Sequence, residues 1–267
     1  MARKLFAKEL TYGVFGSLID LILWQIFLVG ASVGKSGPRG VNQAFREADE
    51  ILSKINHHTL TTSWHQLFKK KLLTYKKRQN LYNVEVTDFG KKKLEQFLPH
   101  YFTKRPWDNK IYLVTYDIPE EKHKKRDLLR KFLIRIGCKI LQKSVWVTLY
   151  NPRQLLDGFI SRHRIPGMII ISDIGKDGGI GETTIQDLLV RLYSLEKIND
   201  RYDEFIKNAR EKNKPVKFLL LDYLSILKDD PQLPFELLPD SWLGDKAYHQ
   251  YQQLQSGLIL TRSRTRP

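Results

Sequence analysis

A run of cations between Thr61 and Arg78 is the first feature that could do chemistry. The run contains six Lys or Arg residues and no acid. Three of the cations stand together in Lys76–Asn80, between two apolar segments. Cations grouped in this way bind phosphate oxygens, and the net charge of +16 points toward an anionic partner as well. The residue types therefore predict binding to nucleic acid first and to an acidic membrane surface second.

Three other patterns resemble chemical sites without meeting their requirements. The stretch Gly30–Ser36 has three residues between its first Gly and the Gly-Lys pair, whereas a phosphate-binding loop needs four. The glycines of Gly175–Gly181 predict a linker. His57, His58 and His65 lack partners at metal-ligand spacing, so the sequence predicts no zinc site.

Length and composition limit the protein class. The chain has 267 residues, of which 42% are hydrophobic, and this is enough for about two or three domains. The single cysteine, Cys138, excludes an internal disulfide framework and favours a cytoplasmic location. Because Cys138 falls inside a predicted strand, we expect it to be a packing residue.

The cations need a scaffold, and residues 42–98 predict one. Asn42–Ile55 has the apolar spacing of a helix, and Thr61-Thr62-Ser63 offers caps for a second helix through Lys71. Strands are predicted over Leu72–Tyr75 and Tyr82–Val86, and a third helix begins at Thr87. This order is typical of a winged helix-turn-helix, whose second helix enters the major groove. The predicted DNA contacts are Thr62, His65, Gln66, Lys69 and Lys70 from the second helix, and Lys76, Lys77 and Arg78 from the wing.

A second unit is predicted over residues 106–174. Apolar runs predict strands at Ile111–Asp117, Cys138–Gln142, Ser144–Tyr150 and Met168–Ser172. Helical patterns lie between the first and second of these strands and between the third and fourth. Pro119 suits the first turn of the first helix, Gly137 can end it, and Asn151-Pro152 suits the start of the second. The order β-α-β-β-α-β is that of the ferredoxin-like fold. At the end of the first strand, Asp117 is predicted to cap the helix that follows.

The apolar segment Tyr12–Val33 leaves two alternatives open. It is long enough to span a membrane, which needs about 20 apolar residues. However, it contains Asp20 and Gln25, and an acid at the centre of a bilayer costs a few kcal/mol. A buried helix and a membrane anchor are both compatible with this composition.

The C-terminal part is predicted to be helical from residue 182 to 257. A segment rich in Pro and acid, Lys228–Gly244, cannot be one helix, because each Pro removes a donor and clashes with the preceding turn. The tail after it is basic and is predicted to be disordered. The predicted organisation is α+β and multidomain, with ranges 1–41 (apolar helix and linker), 42–105 (winged helix), 106–174 (ferredoxin-like), 182–257 (helical) and 258–267 (basic tail).

Three segments carry a resemblance to a known family, the PaaX-like or phenylacetic-acid-type transcriptional repressors. The first is Val84–Lys92. The second, in the centre of the chain, consists of Trp107-Asp108, Leu113–Pro119 and Gln142–Val147. The third is Asp229–Gly244. The resemblance implies a winged helix, a central ferredoxin-like domain and a helical C-terminal domain. It also implies a DNA-binding dimer that responds to a small acyl-CoA-like effector.

The central domain also resembles the small CRISPR-associated adaptation protein, a ferredoxin-like dimer with metal-dependent nuclease activity in some members. In that family an Asp ends the first strand, and Asp117 stands at the matching position. The resemblance implies that two copies of Asp117 in a dimer could hold one Mg²⁺, a cation that prefers oxygen ligands. A nuclease and a non-catalytic scaffold are therefore the alternatives.

The sequence as a whole predicts a cytoplasmic, dimeric DNA-binding regulator, a repressor without a cofactor. Mg²⁺ enters only if the nuclease alternative holds, and membrane attachment only through residues 12–33.

Overall fold

The structure, a computed structural model, describes residues 14–29, 31–33, 57–78, 81–175 and 184–264. They fall into two compact units. Unit 1 is drawn from Met1–His100, Tyr202–Lys228 and Gly244–Pro267, and unit 2 from Tyr101–Arg201 and Asp229–Leu243. Each unit thus combines an N-terminal or central part of the chain with a later part.

Unit 1 begins with helices around a small antiparallel sheet. Its first elements are α1 (Leu18–Val29), β1 (Ala31–Val33), α2 (His57–Lys69), β2 (Leu73–Arg78), β3 (Leu81–Val86) and α3 (Asp88–Phe97). The strands are arranged β1-β3-β2. The predicted linker within residues 1–41 is wrong at Ala31–Val33, which form a strand and pair with β3. The strand forms because the edge of β3 is free to pair with it. Since β3 is about 50 residues further along the chain, no local sequence pattern indicates this pairing. The predicted helix over 42–55 lies outside the described residues.

Helix α1 is a core helix. Leu21, Ile22, Leu23 and Trp24 are at most 1% exposed, and they pack with α2, β3 and α3 in one hydrophobic cluster. Asp20, the acid in this apolar segment, accepts a hydrogen bond from Ser17 Oγ at 2.7 Å and pairs with Lys93 at 3.2 Å. Helix α1 has 12 residues. Within the described parts of the chain, no helix has both the length and the apolar character needed to cross a membrane.

The bounds of α2 and β2 differ from the prediction in one respect each. Thr61, Thr62 and Ser63 do not cap α2, because they lie inside it, and the Thr62 hydroxyl donates to the carbonyl of His58. A Thr that bonds back to the preceding turn can be accommodated within a helix. Strand β2 extends to Arg78, so the wing cations belong to a paired strand and not to the loop.

The start of α3 is built from Thr87 and Gly90, in agreement with the predicted position. The Thr87 hydroxyl accepts a hydrogen bond from Gly90 N at 3.0 Å and donates to Lys71 O. A Cβ on Gly90 would lie 2.4 Å from the carbonyl oxygen of Leu72. Since real Cβ atoms do not approach so closely, a glycine is required where α3 meets the turn before β2.

Unit 2 contains the predicted β-α-β-β-α-β order. Its elements are β4 (Ile111–Asp117), a 3₁₀ turn (Glu120–Lys122), α4 (His123–Arg135), β5 (Lys139–Gln142), β6 (Val145–Thr148), α5 (Arg153–His163) and β7 (Met168–Ile174). The strands are arranged β5-β6-β4-β7 and all neighbouring pairs are antiparallel. The two helices pack on one face of the sheet, where Phe132 and Phe159 stack with ring centres 3.8 Å apart.

Two predictions about the ends of α4 have opposite outcomes. Gly137 ends the helix as predicted: its φ is 86°, and Cys138 N donates back to Leu133 O at 2.9 Å. Asp117 does not cap the helix, because Pro119 is the cap residue of the 3₁₀ turn and no side chain bonds there. Cys138 is a buried packing residue as predicted, and burial raises the pKa of its thiol to about 11.

The later helices are α6 (Ile185–Tyr193), α7 (Leu195–Glu211), α8 (Val216–Asp229) and α9 (Gly244–Arg264), with a 3₁₀ turn at Phe235–Leu237. The Pro-rich segment before α9 is not a continuous helix, as predicted. The prediction of a disordered tail is wrong up to Arg264. Tyr251, Leu254 and Leu258 recur at helical spacing and pack against the core of unit 1, so burial extends the helix.

Candidate nucleic-acid interface

Helix α2 presents a polar face opposite a buried one. Thr62, His65, Gln66 and Lys69 are exposed, and their spacing of three or four residues places them on one side of the helix. Leu60, Ser63, Trp64 and Leu67, on the other side, are buried. The five residues predicted to contact DNA from this helix, including Lys70 just after it, are thus all accessible to a ligand.

Three lysines lie where α2 ends: Lys69 is its last residue, and Lys70 and Lys71 form the turn that follows. Lys71 adopts a left-handed conformation with φ of 57°, and its N–H donates to Phe68 O at 2.9 Å. Leu72, directly after it, is buried. Lys69, Lys70 and Lys71 are exposed, and none has a carboxylate within ion-pair distance among the described residues. Cations at a helix C-terminus also interact favourably with the helix dipole.

The β2–β3 hairpin carries the predicted wing cations. Lys76 is exposed and lies 3.7 Å from Glu85, a surface pair of the kind that contributes little to stability. The backbones of Lys77 and Arg78 pair with Tyr82 and Leu81, whereas their side chains are outside the described part.

Aromatic stacking holds the hairpin against α2. Phe68 from the helix and Tyr75 from β2 stack at 4.3 Å between ring centres, with an interplanar angle of 12°. Trp64 packs against Phe68 at 5.9 Å. Because Tyr75 is next to Lys76 in a strand, whose neighbouring side chains point to opposite faces, this stack turns Lys76 to the exposed face.

Asp117 is exposed at the end of β4, opposite Met168 on β7. Gly167 has φ of 90°, and a Cβ there would lie 2.1 Å from the carbonyl oxygen of Asp117. The backbone of Gly167 is therefore packed tightly against the backbone of Asp117, while the Asp117 side chain is open to solvent. In the described residues no three His, Cys, Asp or Glu side chains come together to hold a metal.

A small open cavity lies at the start of the sheet in unit 2. It has a volume of about 320 Å³ and is lined by Pro106, Trp107, Asp108, Leu149, Tyr150 and Asn151. Asp108 accepts a hydrogen bond from the Tyr112 hydroxyl at 2.5 Å, and this bond raises the pKa of Tyr112. Arg105 next to the cavity is buried between Tyr101 and Phe235 and donates to Leu233 O at 2.9 Å.

Two family models match the chain, and both describe parts of one kind of protein. The model of the PaaX protein central Cas2-like domain matches residues 104–181, and that of the PaaX-like protein C-terminal domain matches residues 193–263. The chain belongs to the PaaX-like family. Its central domain is Cas2-like, as the resemblance implied.

No curated protein matches this PaaX-like chain significantly. Among solved structures, the uncharacterized protein Rv0674 from Mycobacterium tuberculosis has a TM-score of 0.54 and 14% sequence identity. The similarity covers 88% of this chain and 92% of the other. At such low identity the likeness shows the fold alone.

The two PaaX-family matches begin after residue 103, so the surface formed by α2 and the hairpin lies outside both. Sequence reasoning missed strand β1, the Phe68–Tyr75 stack and the buried Arg105. Three aromatic residues, Tyr101, Phe102 and Trp107, lie within four positions of Arg105 and were a signal for burial of its stem. The contact with Phe235 could not be seen in the sequence, because Phe235 is far along the chain.

Proposed function

We propose that this PaaX-like protein is a transcription regulator that binds duplex DNA through α2 and the β2–β3 hairpin. The observation that carries the proposal is the exposed polar face of α2, which leads into three lysines without carboxylate partners among the described residues. The hairpin beside it adds the wing cations. We assign α1, β1, α2, the hairpin and α3 to one winged helix-turn-helix, which thus starts before residue 42.

In this proposal α2 enters the major groove. Thr62, His65 and Gln66 present hydroxyl, imidazole and amide groups that can hydrogen-bond base edges, and Gln suits adenine in particular. The cations of Lys69, Lys70 and the wing contact phosphates, which position the protein without reading sequence. Base contacts and phosphate contacts therefore come from different residues and can be tested separately.

The experiment starts from DNA selected from a random library by the purified protein. Neutralising the wing in K76Q/K77Q/R78Q should weaken binding to selected and random duplexes alike and lower the slope of log affinity against log salt by about 2 to 3, roughly 0.9 per lost phosphate contact. Gln66→Ala should instead reduce the preference for the selected sequence and leave the salt slope unchanged. Unchanged affinity of the wing variant for every duplex would remove the hairpin from the interface.

For unit 2 we propose a ferredoxin-like domain that forms the dimer of a repressor. The support is the antiparallel order β5-β6-β4-β7, in which β7 is an edge strand with Met168 and Ile170 exposed. An exposed edge of this kind pairs readily with a second chain. Light scattering at tens of micromolar should give twice the chain mass, whereas a monomer at that concentration would contradict the dimer.

The family implies a small acyl-CoA-like effector, and we propose the cavity beside Trp107 and Tyr150 as the site for its acyl group. A volume of about 320 Å³ suits a short acyl or aryl group, and Trp107 lines the cavity. Short acyl-CoA thioesters should lower DNA affinity and change the tryptophan fluorescence of the unchanged protein, and the fluorescence change should be absent in Trp107→Ala. A thioester that weakens DNA binding equally in Trp107→Ala would place the effector elsewhere.

A further inference from the structure

A second group of cations lies on α4 and the hairpin that follows it, in unit 2. Between Lys122 and Lys143 the chain has nine Lys or Arg residues and one acid, Asp127. None of the ion pairs given for the described residues includes a cation from this stretch. Asp127 itself is exposed and in no such pair. The cations of this stretch thus outnumber its one carboxylate and form no ion pair with it.

Several of these cations are held in place by neutral groups. Arg130 donates to the hydroxyl of Tyr116 at 2.8 Å and to Lys143 O at 3.4 Å, and Lys125 donates to the carbonyl of His163. The guanidinium of Arg135 lies 5.3 Å from the ring centre of Phe132. These contacts orient the side chains without neutralising them, so an anion would find part of the surface already arranged.

The remaining cations form a row along the solvent side of α4. Lys124, Lys131 and Arg135 are exposed and are separated by seven and four residues. At 1.5 Å per residue, these spacings are roughly 10 Å and 6 Å along the helix. Successive phosphates on one strand of a duplex are about 6 to 7 Å apart, which is close to the shorter spacing, and the longer spacing falls between one and two phosphate steps. A row of roughly 16 Å is too long for a single small anion and suits a chain of phosphates.

The geometry points to duplex DNA as the partner of this surface, and we propose that α4 is a second phosphate-binding element in addition to the one formed by α2 and the wing. A membrane is disfavoured because the apolar face of α4, with Leu129, Phe132 and Leu133, is buried against the sheet and cannot insert. Single strands are disfavoured because no Phe, Tyr or Trp side chain is exposed on α4 for bases to stack on. This surface reads no sequence, since lysine–phosphate contacts do not depend on the base.

The test compares three full-length variants on a random-sequence 60-bp duplex. K124Q/K131Q/R135Q should bind at least about tenfold more weakly at 0.1 M salt, with a salt slope lower by about 2 to 3. K124R/K131R/R135K keeps the charge and should bind as the unchanged protein does. The control K197Q/K212Q/K246Q removes three exposed lysines elsewhere and should leave the salt slope unchanged.

The outcomes separate this inference from the proposed function. An altered slope for the α4 variant together with no effect of K76Q/K77Q/R78Q would retain the α4 surface and reject the wing. An α4 variant with the affinity and slope of the control variant would overturn the inference. Equal losses in the α4 and control variants would mean that net charge alone acts, and this also overturns it. The last measurement uses vesicles with 30% phosphatidylserine. If the unchanged protein binds these vesicles and only the α4 variant loses that binding while its DNA affinity is unchanged, the surface belongs to a membrane and the inference is overturned.

Discussion

Helix α3 and the end of α2 are both rich in lysine and belong to the same unit, but their charges have different partners. Lys91 of α3 donates to Asp88 at 2.9 Å, and Lys93 lies 3.2 Å from the carboxylate of Asp20. Lys69 and Lys70, at the end of α2, have no such carboxylate among the described residues. The largely buried pair of Lys93 and Asp20 stabilises the fold, whereas an exposed pair such as Lys91–Asp88 contributes little. The lysines at the end of α2 have no carboxylate to compete with a phosphate. The number of lysines does not distinguish the two helices, but the partners of their charges do.

The largest effect is expected from removing the unpaired charges. K69Q/K70Q should lower the affinity for duplex DNA by about tenfold to hundredfold at 0.1 M salt, because two phosphate contacts are lost. Fluorescence anisotropy with a labelled duplex measures the change.

The matched control is K91Q/K93Q, which removes the same charge from α3 at two lysines that have carboxylate partners. We expect its DNA affinity to fall less than about threefold, the effect of net charge on the association rate alone. Equal losses in both double variants would show that pairing does not separate the two helices.

A second substitution concerns stability instead of binding. Lys93→Gln leaves the buried carboxylate of Asp20 with only Ser17 as a partner, and this should cost about 1 to 2 kcal/mol, the pair being partly exposed. Lys69→Gln should be neutral within about 0.5 kcal/mol, as is usual at exposed positions. Urea unfolding measures both. Asp20→Asn added to Lys93→Gln should recover part of the loss, and no recovery would mean that Lys93 stabilises α3 by packing alone.

Asp117 extends the comparison to carboxylates. Unlike Asp20, it has no hydrogen-bond or ion-pair partner within the described residues, and it does not cap the following turn. Asp117→Asn should therefore change the free energy of unfolding by less than about 0.5 kcal/mol. We also expect intact DNA and RNA after incubation of the unchanged protein with Mg²⁺. Products that form with the unchanged protein and not with Asp117→Asn would establish Asp117 as a metal ligand in a dimeric nuclease.

The smallest effect concerns the exposed pair on α3. The hydrogen bond from Lys91 lowers the pKa of Asp88 below its usual value. A lowered folded-state pKa means that this carboxylate stabilises the fold above its unfolded pKa, and that the contribution is lost as the pH falls through the folded value. Nuclear magnetic resonance titration of Asp88 should show this lowered pKa, and Lys91→Gln should return it toward the usual value. A titration that Lys91→Gln leaves unchanged would mean that the pair does not form in solution.

Much of unit 2 could be predicted because its signals are local. The alternation within Ile111–Asp117 and the position of Gly137 depend on residues a few places apart, and both are found as predicted. The prediction that Asp117 caps the following helix was wrong. Whether its carboxylate reaches a free N–H of the next turn depends on the path of the chain through Ile118 and Pro119, and a sequence pattern does not specify that path.

The sequence by itself determined which faces of α2 and α4 are apolar and which are charged, because helical periodicity follows from the backbone geometry alone. Only the tertiary structure decided which charges meet a partner. Lys93 pairs with Asp20, 73 residues earlier in the chain, and β1 pairs with the edge of β3, about 50 residues later. The lysines of α4 pair with no carboxylate in the described parts. Such pairings depend on where the fold brings distant segments together. Long-range packing therefore decides which of this protein's many cations hold its fold and which remain free to bind.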